Sequence, residues 1–348
     1  MLKATHRSPL IFRRRRAIHT LARTGDLLTP EDFCTEQSDG KLAIAGQQDT
    51  AGLVVKLNPD GQLDNSFGTN GVKTHISGSE LKFYAIAIDD SANLILAGMV
   101  ENTNKDAFFM RLTGTAGTAD TSFGGDGTTT LDLALDEQIL DITTIAGGAI
   151  IATGVRGSEG LAMKVKNDGS LSSDDFGAGI GYVALDLDPI ASTNVDTLRK
   201  VLTRPDGRIV MAGYTTDSEP ANILVQLNSN GTPDTTFDSD AIVSHNYGNG
   251  GAKTLALALD SNGNILISGF NSNGSNDDIF VARVTVTGIK DTNFNGTAGG
   301  VLFDYGASES ASAILVTADG NLIIAGSDNL NLFPQAFFFV KHIQLLEP

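Results

Sequence analysis

The sequence predicts an all-β protein, a six-bladed β-propeller of four-stranded antiparallel blades whose last blade is closed by an N-terminal strand. Three observations carry that expectation. The 348 residues include 39 glycines and no tryptophan, a density that disfavours a helical protein, and no period of three points to collagen. Two unrelated phrases recur along the whole chain with one shared period. The apolar segments between them are short, rich in β-branched residues and bounded by Asp-Gly, Asn-Gly or Gly-Gly, which reads as strands joined by tight turns.

The first phrase is an apolar run ending in a small residue and glycine. It closes at Gly46, Gly98, Gly154, Gly213, Gly269 and Gly326, with spacings of 52, 56, 59, 56 and 57 by subtraction. The second ends on a phenylalanine, as in DGQLDNSFG, and recurs at Phe67, Phe123, Phe176, Phe237 and Phe294, spaced by 56, 53, 61 and 57. In the second period, Tyr84 to Ile88 is strand one, Leu94 to Gly98 strand two, Ala107 to Leu112 strand three and Thr128 to Leu133 strand four. Four strands in a unit of roughly 55 residues is a propeller blade, since stacked solenoid coils are shorter. The blades then fall at about 31–77, 83–133, 137–187, 196–247, 251–305 and 310–348.

Six glycine phrases stand against five phenylalanine phrases, so the sixth blade lacks its fourth strand at the C-terminus. Arg16-Ala17-Ile18-His19-Thr20-Leu21 resembles Val72-Lys73-Thr74-His75-Ile76 and is expected to supply that strand, leaving no free sheet edge. Residues 16–348 are thus read as one propeller domain, preceded by a flexible basic tail over residues 1–15 that leads into Arg13 to Arg16. That tail has no apolar core of signal-peptide length behind it.

The two phrases resemble the delta-60 repeat family of bacterial proteins, whose units carry D-G-S-L-D-x-S-F-G-x-G-G followed by D-G-K-hydrophobic-A-G. The matching stretches are Asp60 to Gly71, Asp39 to Gly46 and Asp206 to Gly213, and the likeness runs from about residue 31 to 343. The resemblance implies a propeller-like structure and an extracellular or cell-surface location in bacteria, with the cytoplasm left open. It implies no enzymatic activity, because that family is defined by its repeat.

Composition narrows the partners. The net charge of −17 argues against nucleic acid. No apolar stretch is long enough to span a membrane, and a monomer is expected. One cysteine, Cys34, permits neither an internal disulfide nor a cysteine metal cluster, and it reads as a buried, inert thiol.

Three sets of polar residues return at equivalent places. His19, His75, Asp132, Asp186, His245 and Asp304 stand near the end of strand four. A ring of His and Asp is chemistry for a divalent cation, but such residues lie one blade apart, and the plainer reading is that each caps the turn into the next blade. On strand three, Lys56, Arg111, Lys164, Gln226 and Arg283 precede the loop residues Asp64, Asp120, Asp234 and Asp291, with Ser173 replacing the carboxylate in the third unit. These are read as a structural brace, with the following phenylalanine plugging the seam between blades. The glycine clusters at Gly177 to Gly181 and Gly248 to Lys253 read as turns, since no helix N-terminus follows to hold a phosphate.

No residue is assigned a catalytic role and no metal site is assigned; the only cofactor contemplated is calcium, bound weakly at Asp260 to Asn264 or Asn271 to Asp278. Variation is concentrated in the loops between strands two and three, and variable loops on a rigid scaffold are where binding develops. Tyr214, Phe270, Asn271, Asn273 and Phe333 are therefore the candidate ligand-binding residues. Two function classes remain: a non-catalytic binding or adhesion module recognising a glycan or a protein, and a glycan-acting hydrolase or lyase with carboxylates at the central channel.

Overall fold

The computed structural model describes residues 33–187, 195–216, 221–245, 247, 251–295, 299–328 and 341–343. The first sheet comprises β1 (Phe33–Glu36), β2 (Leu42–Gln48), β3 (Ala51–Leu57) and β4 (Val72–His75), and the second β5 (Glu80–Ile88), β6 (Leu94–Glu101), β7 (Lys105–Leu112) and β8 (Thr128–Leu131). The third has β9 (Glu137–Ile145), β10 (Ala149–Arg156), β11 (Glu159–Val165) and β12 (Tyr182–Leu185), and the fourth β13 (Thr197–Thr203), β14 (Ile209–Tyr214), β15 (Asn222–Leu227) and β16 (Ile242–His245). The fifth has β17 (Ala252–Leu259), β18 (Ile265–Ser272), β19 (Asp277–Val284) and β20 (Gly300–Phe303). The sixth has three strands, β21 (Glu309–Val316), β22 (Leu322–Asp328) and β23 (Lys341–Ile343). The N-terminal segment expected to complete it, with His19 and the basic tail, lies outside the described residues.

Consecutive strands are neighbours in every sheet. The chain divides into two compact units: one runs up to Ile139 and adds Thr144–Ile150 and Lys166–Ser170; the other takes Leu140–Thr143, Ile151–Val165 and the chain from Leu171 on. In the first unit, Ala43, Ala45 and Val54 pack with Phe67, Leu81, Phe83, Leu94, Leu96 and Met110 between the first two sheets. In the second, Val210, Leu224 and Phe237 meet Ile265, Ile267 and Phe280 between the fourth and fifth, and Leu266, Val281 and Phe294 meet Leu322 and Ile324 between the fifth and sixth.

The burial of each strand explains its sequence pattern. β6 and β7 are buried almost throughout and read as continuous apolar runs, whereas β5 alternates and the outer strand β8 is partly exposed. Both hairpins of this sheet extend past the apolar residues, because Glu80 pairs with Glu101 and Glu101 with Lys105 through backbone bonds indifferent to side-chain polarity. β8 stops two residues short of the expected Leu133, whose N–H donates to Glu137 Oε2 at 3.1 Å instead of continuing the ladder.

Four phrase glycines have a shared cause. Gly98, Gly213, Gly269 and Gly326 pair with Phe83, Leu198, Thr254 and Ala311, each at a register shift where strand one carries an extra residue. The bulge pushes a strand-one carbonyl toward the glycine. A Cβ on Gly98 would stand 1.8 Å from the Lys82 oxygen, and equivalent contacts at the other three lie at 1.8 to 1.9 Å. These glycines thus sit inside strands and not at turns or strand ends.

The cysteine expectation is corrected. Cys34 is exposed on β1, because this short strand covers only part of its sheet and Cys34 alternates away from half-buried Thr35.

Candidate functional site

The Asp-x-x-Phe loops build a repeated brace. Arg111 Nε donates to Asp120 Oδ2 at 2.8 Å and Arg283 Nε to Asp291 Oδ2 at 2.6 Å, while Gln226 Nε2 replaces them at 2.7 Å from Asp234. In the first repeat Lys56 lies 3.6 Å and Lys41 3.0 Å from Asp64. The other oxygen of Asp64, Asp120 and Asp234 accepts the N–H and hydroxyl of the residue two positions on, Ser66, Ser122 or Thr236. The same cations lie over the next phenylalanine: Lys56 over Phe67, Arg111 over Phe123 and Arg283 over Phe294, at 5.6, 5.0 and 5.3 Å. In the third repeat the carboxylate is displaced, not lost. Lys164 pairs with Asp175 at 2.6 Å, the residue just before Phe176, and Ser172 donates to it at 2.7 Å.

This brace gives a pH dependence. Burial raises the pKa of Asp64, but the hydrogen bonds from Ser66 and the Lys41 ammonium outweigh that and hold the carboxyl at about 2, against an ordinary value of 3.8. The unfolded chain therefore takes up this proton first. The stability that Asp64 contributes is complete above the ordinary value and is lost as pH falls toward 2. Asp64→Asn is expected to flatten the acid limb of a stability profile measured by urea unfolding, with the two proteins differing less in stability at the acid end; parallel limbs would contradict it.

Of the proposed ligand-binding residues, Phe333 lies outside the described residues. Tyr214 ends β14, and Phe270 on β18 pairs with Lys253 on β17. The Lys253 ammonium lies 4.8 Å from the Tyr214 ring centre and 5.9 Å from that of Phe270, which brings the two aromatics to one half-buried group. Sequence reasoning read Lys253 as the end of a turn from Gly248 and gave it no binding role, whereas it lies on β17, paired across to Phe270. Asn271 is 2 % exposed and its amide nitrogen has no hydrogen-bond partner. Asn273 is exposed and donates to Asp278 Oδ2 at 3.0 Å.

The strand-four residues do different things. Asp132 and Asp304 cap turns, accepting the N–H of Ala134 and Gly306 at 2.7 Å each. The histidines do not: His75 packs on the Phe108 ring at 5.7 Å, and His245 Nε2 meets the Gly288 carbonyl at 2.8 Å. Metal-ligating side chains gather in two places among the described residues, Asp106 with Asp132 and Glu137, and Asp278 with Asp304 and Glu309. Asp260 accepts the N–H groups of Asn262 and Asn264 and the amide of Asn264 within its turn, and the Arg283 guanidinium lies 3.7 Å from its Oδ2.

Repeated four-stranded antiparallel sheets, stitched by a recurring loop brace, define a protein of the β-propeller-like repeat class. The family model described as "Domain of unknown function (DUF5122) beta-propeller" matches residues 37–67 and 204–237, each a stretch from a glycine phrase to the next phenylalanine. No curated protein matches the chain. Among solved structures, virginiamycin B lyase from Staphylococcus aureus is similar, with 13 % identity and a TM-score of 0.50 over 93 % of this chain and 88 % of that one. A polysaccharide lyase of family PL25, an ulvan lyase, is similar at 11 % identity and a TM-score of 0.51, over 87 % and 77 %. At these identities the likeness concerns the fold. No helix among the described residues is long and apolar enough to cross a membrane.

Proposed function

We propose that the protein is a non-catalytic binding module that takes a glycan through the loops between second and third strands. The observation supporting this reading is the group formed by Tyr214, Lys253 and Phe270. Aromatic faces suit the C–H faces of a sugar ring, and the ammonium supplies a donor to its oxygens. A rigid sheet end with few polar groups is economical in ordering entropy.

Screening the purified full chain on a glycan array, then measuring affinity by calorimetry, tests this reading. Tyr214→Ala and Phe270→Ala are each expected to weaken the selected glycan about tenfold, about 1.4 kcal/mol, without changing the melting temperature. Affinity unchanged in both variants, or turnover of the bound glycan, would overturn the proposal.

A further inference from the structure

We propose that the protein binds two calcium ions, one in each compact unit, at equivalent positions of two repeats. The first site is Asp106 on β7, Asp132 just after β8 and Glu137 at the start of β9; the second is Asp278 on β19, Asp304 just after β20 and Glu309 at the start of β21. In each, one oxygen from every carboxylate falls within 4.8 Å of the others. Both sets have the same internal spacing, 26 residues and then 5. An ion at either place would draw its ligands from strand three, the strand-four turn and the next strand one, so the separation between equivalent residues of different blades does not matter.

Clustered acids alone carry little, and the second observation is an unmet oxygen in each set. Asp106 is 6 % exposed and its Oδ1 has no hydrogen-bond partner, while Oδ2 is held by Asn102 at 2.7 Å. Glu309 is 1 % exposed and its Oε2 has no partner, while Oε1 accepts the Ala307 N–H at 2.8 Å. One carboxylate oxygen is thus anchored and the other is left bare inside the protein, where an unpaired acceptor is costly. Further donors orient the neighbours: the Leu133 and Leu135 backbone N–H groups donate to Glu137 at 3.1 and 3.0 Å, and the Asn273 side-chain amide to Asp278 at 3.0 Å. No lysine or arginine among the described residues pairs with Asp106, Asp132, Asp278, Asp304 or Glu309, although buried acids elsewhere in the chain have such partners. Three carboxylates this close repel one another unless a cation lies between them.

The donors select the ion. They are carboxylate oxygens without histidine or cysteine, which suits a hard cation. Calcium accepts carboxylates in one- or two-oxygen modes with irregular geometry, completing its shell with carbonyls or water, whereas magnesium demands a near-ideal octahedron. Other repeats serve as internal controls. The strand-three position holds Ala51 and Ala221 in the first and fourth, and in the third Glu159, which Arg156 neutralises at 3.1 Å; at the strand-one position Glu80 pairs with Lys82 at 2.8 Å and Asp196 accepts the Leu187 N–H.

The test uses the full chain stripped with a chelator and titrated with calcium chloride by calorimetry and thermal unfolding. Two calcium ions per chain are expected, with a rise of several degrees in melting temperature that magnesium at equal concentration does not match. Asp106→Asn and Glu309→Gln are each expected to reduce the stoichiometry from two to one. The exposed turn residues provide a milder pair, Asp132→Asn and Asp304→Asn, each expected to weaken its own site at least tenfold while circular dichroism stays native. Wild-type protein that takes up no calcium at millimolar concentration, or a stoichiometry of two retained in all four variants, would overturn the proposal.

Discussion

Replacing Phe67 by alanine is expected to lower the free energy of unfolding by about 3 to 5 kcal/mol. The ring is fully buried, and it lies in the apolar cluster that joins the first two sheets, beside Leu94, Leu96 and Leu112. Three things would be lost together. The cavity left by the ring has rigid walls, since strands on either side are fixed by their own ladders. Lys56 would lose the ring beneath its ammonium, at 5.6 Å, while remaining buried. The junction of the two loops would also slacken, for Gly68 N–H donates to the Ala116 carbonyl at 2.9 Å and Gly117 packs on the Phe67 ring so closely that a Cβ there would come within 2.7 Å. Urea unfolding is the measurement, and a loss under about 1 kcal/mol would show that the seam does not depend on the ring.

Gly98→Ala should cost about 3 kcal/mol, at the upper end of the usual range for overpacking. The site is not a turn, and left-handed backbone has no part in it. The bulge at Tyr84 drives the Lys82 carbonyl to within 1.8 Å of the place a Cβ would take. Backbone cannot swing aside like a side-chain tip, so the methyl group would have to unmake the bulge or part β5 from β6. Gly125→Ala is the control, because its Cβ would meet nothing within 4 Å; its φ of +89° still costs some strain, typically about 1 kcal/mol. Equal losses in the two variants, read from chemical unfolding, would refute the close-approach account.

Much of the fold was legible in the sequence because its signals are local. Alternation along β5, the unbroken apolar runs of β6 and β7 and the Asp-Gly turns each reside within about ten residues, and recurrence confirmed them against one another. The brace was readable for the same reason, since Arg111 and Asp120 are near neighbours in the chain. Its third copy was misplaced at Ser173 because only the folded loop shows Asp175 reaching Lys164.

Other features depended on residues far apart in the chain. The cysteine's exposure, the lysine between Tyr214 and Phe270, and the carboxylate sets had no local mark. Thirty-one positions separate Asp106 from Glu137, and as many separate Asp278 from Glu309; nothing in either stretch announces that the two ends meet. By itself the sequence determined the period, the strands and the turn chemistry, because each rests on neighbouring residues and backbone geometry. Only the tertiary structure decided why the phrase glycines are glycine and which acids face one another, because a bulge on one strand and a carboxylate on the next act across space.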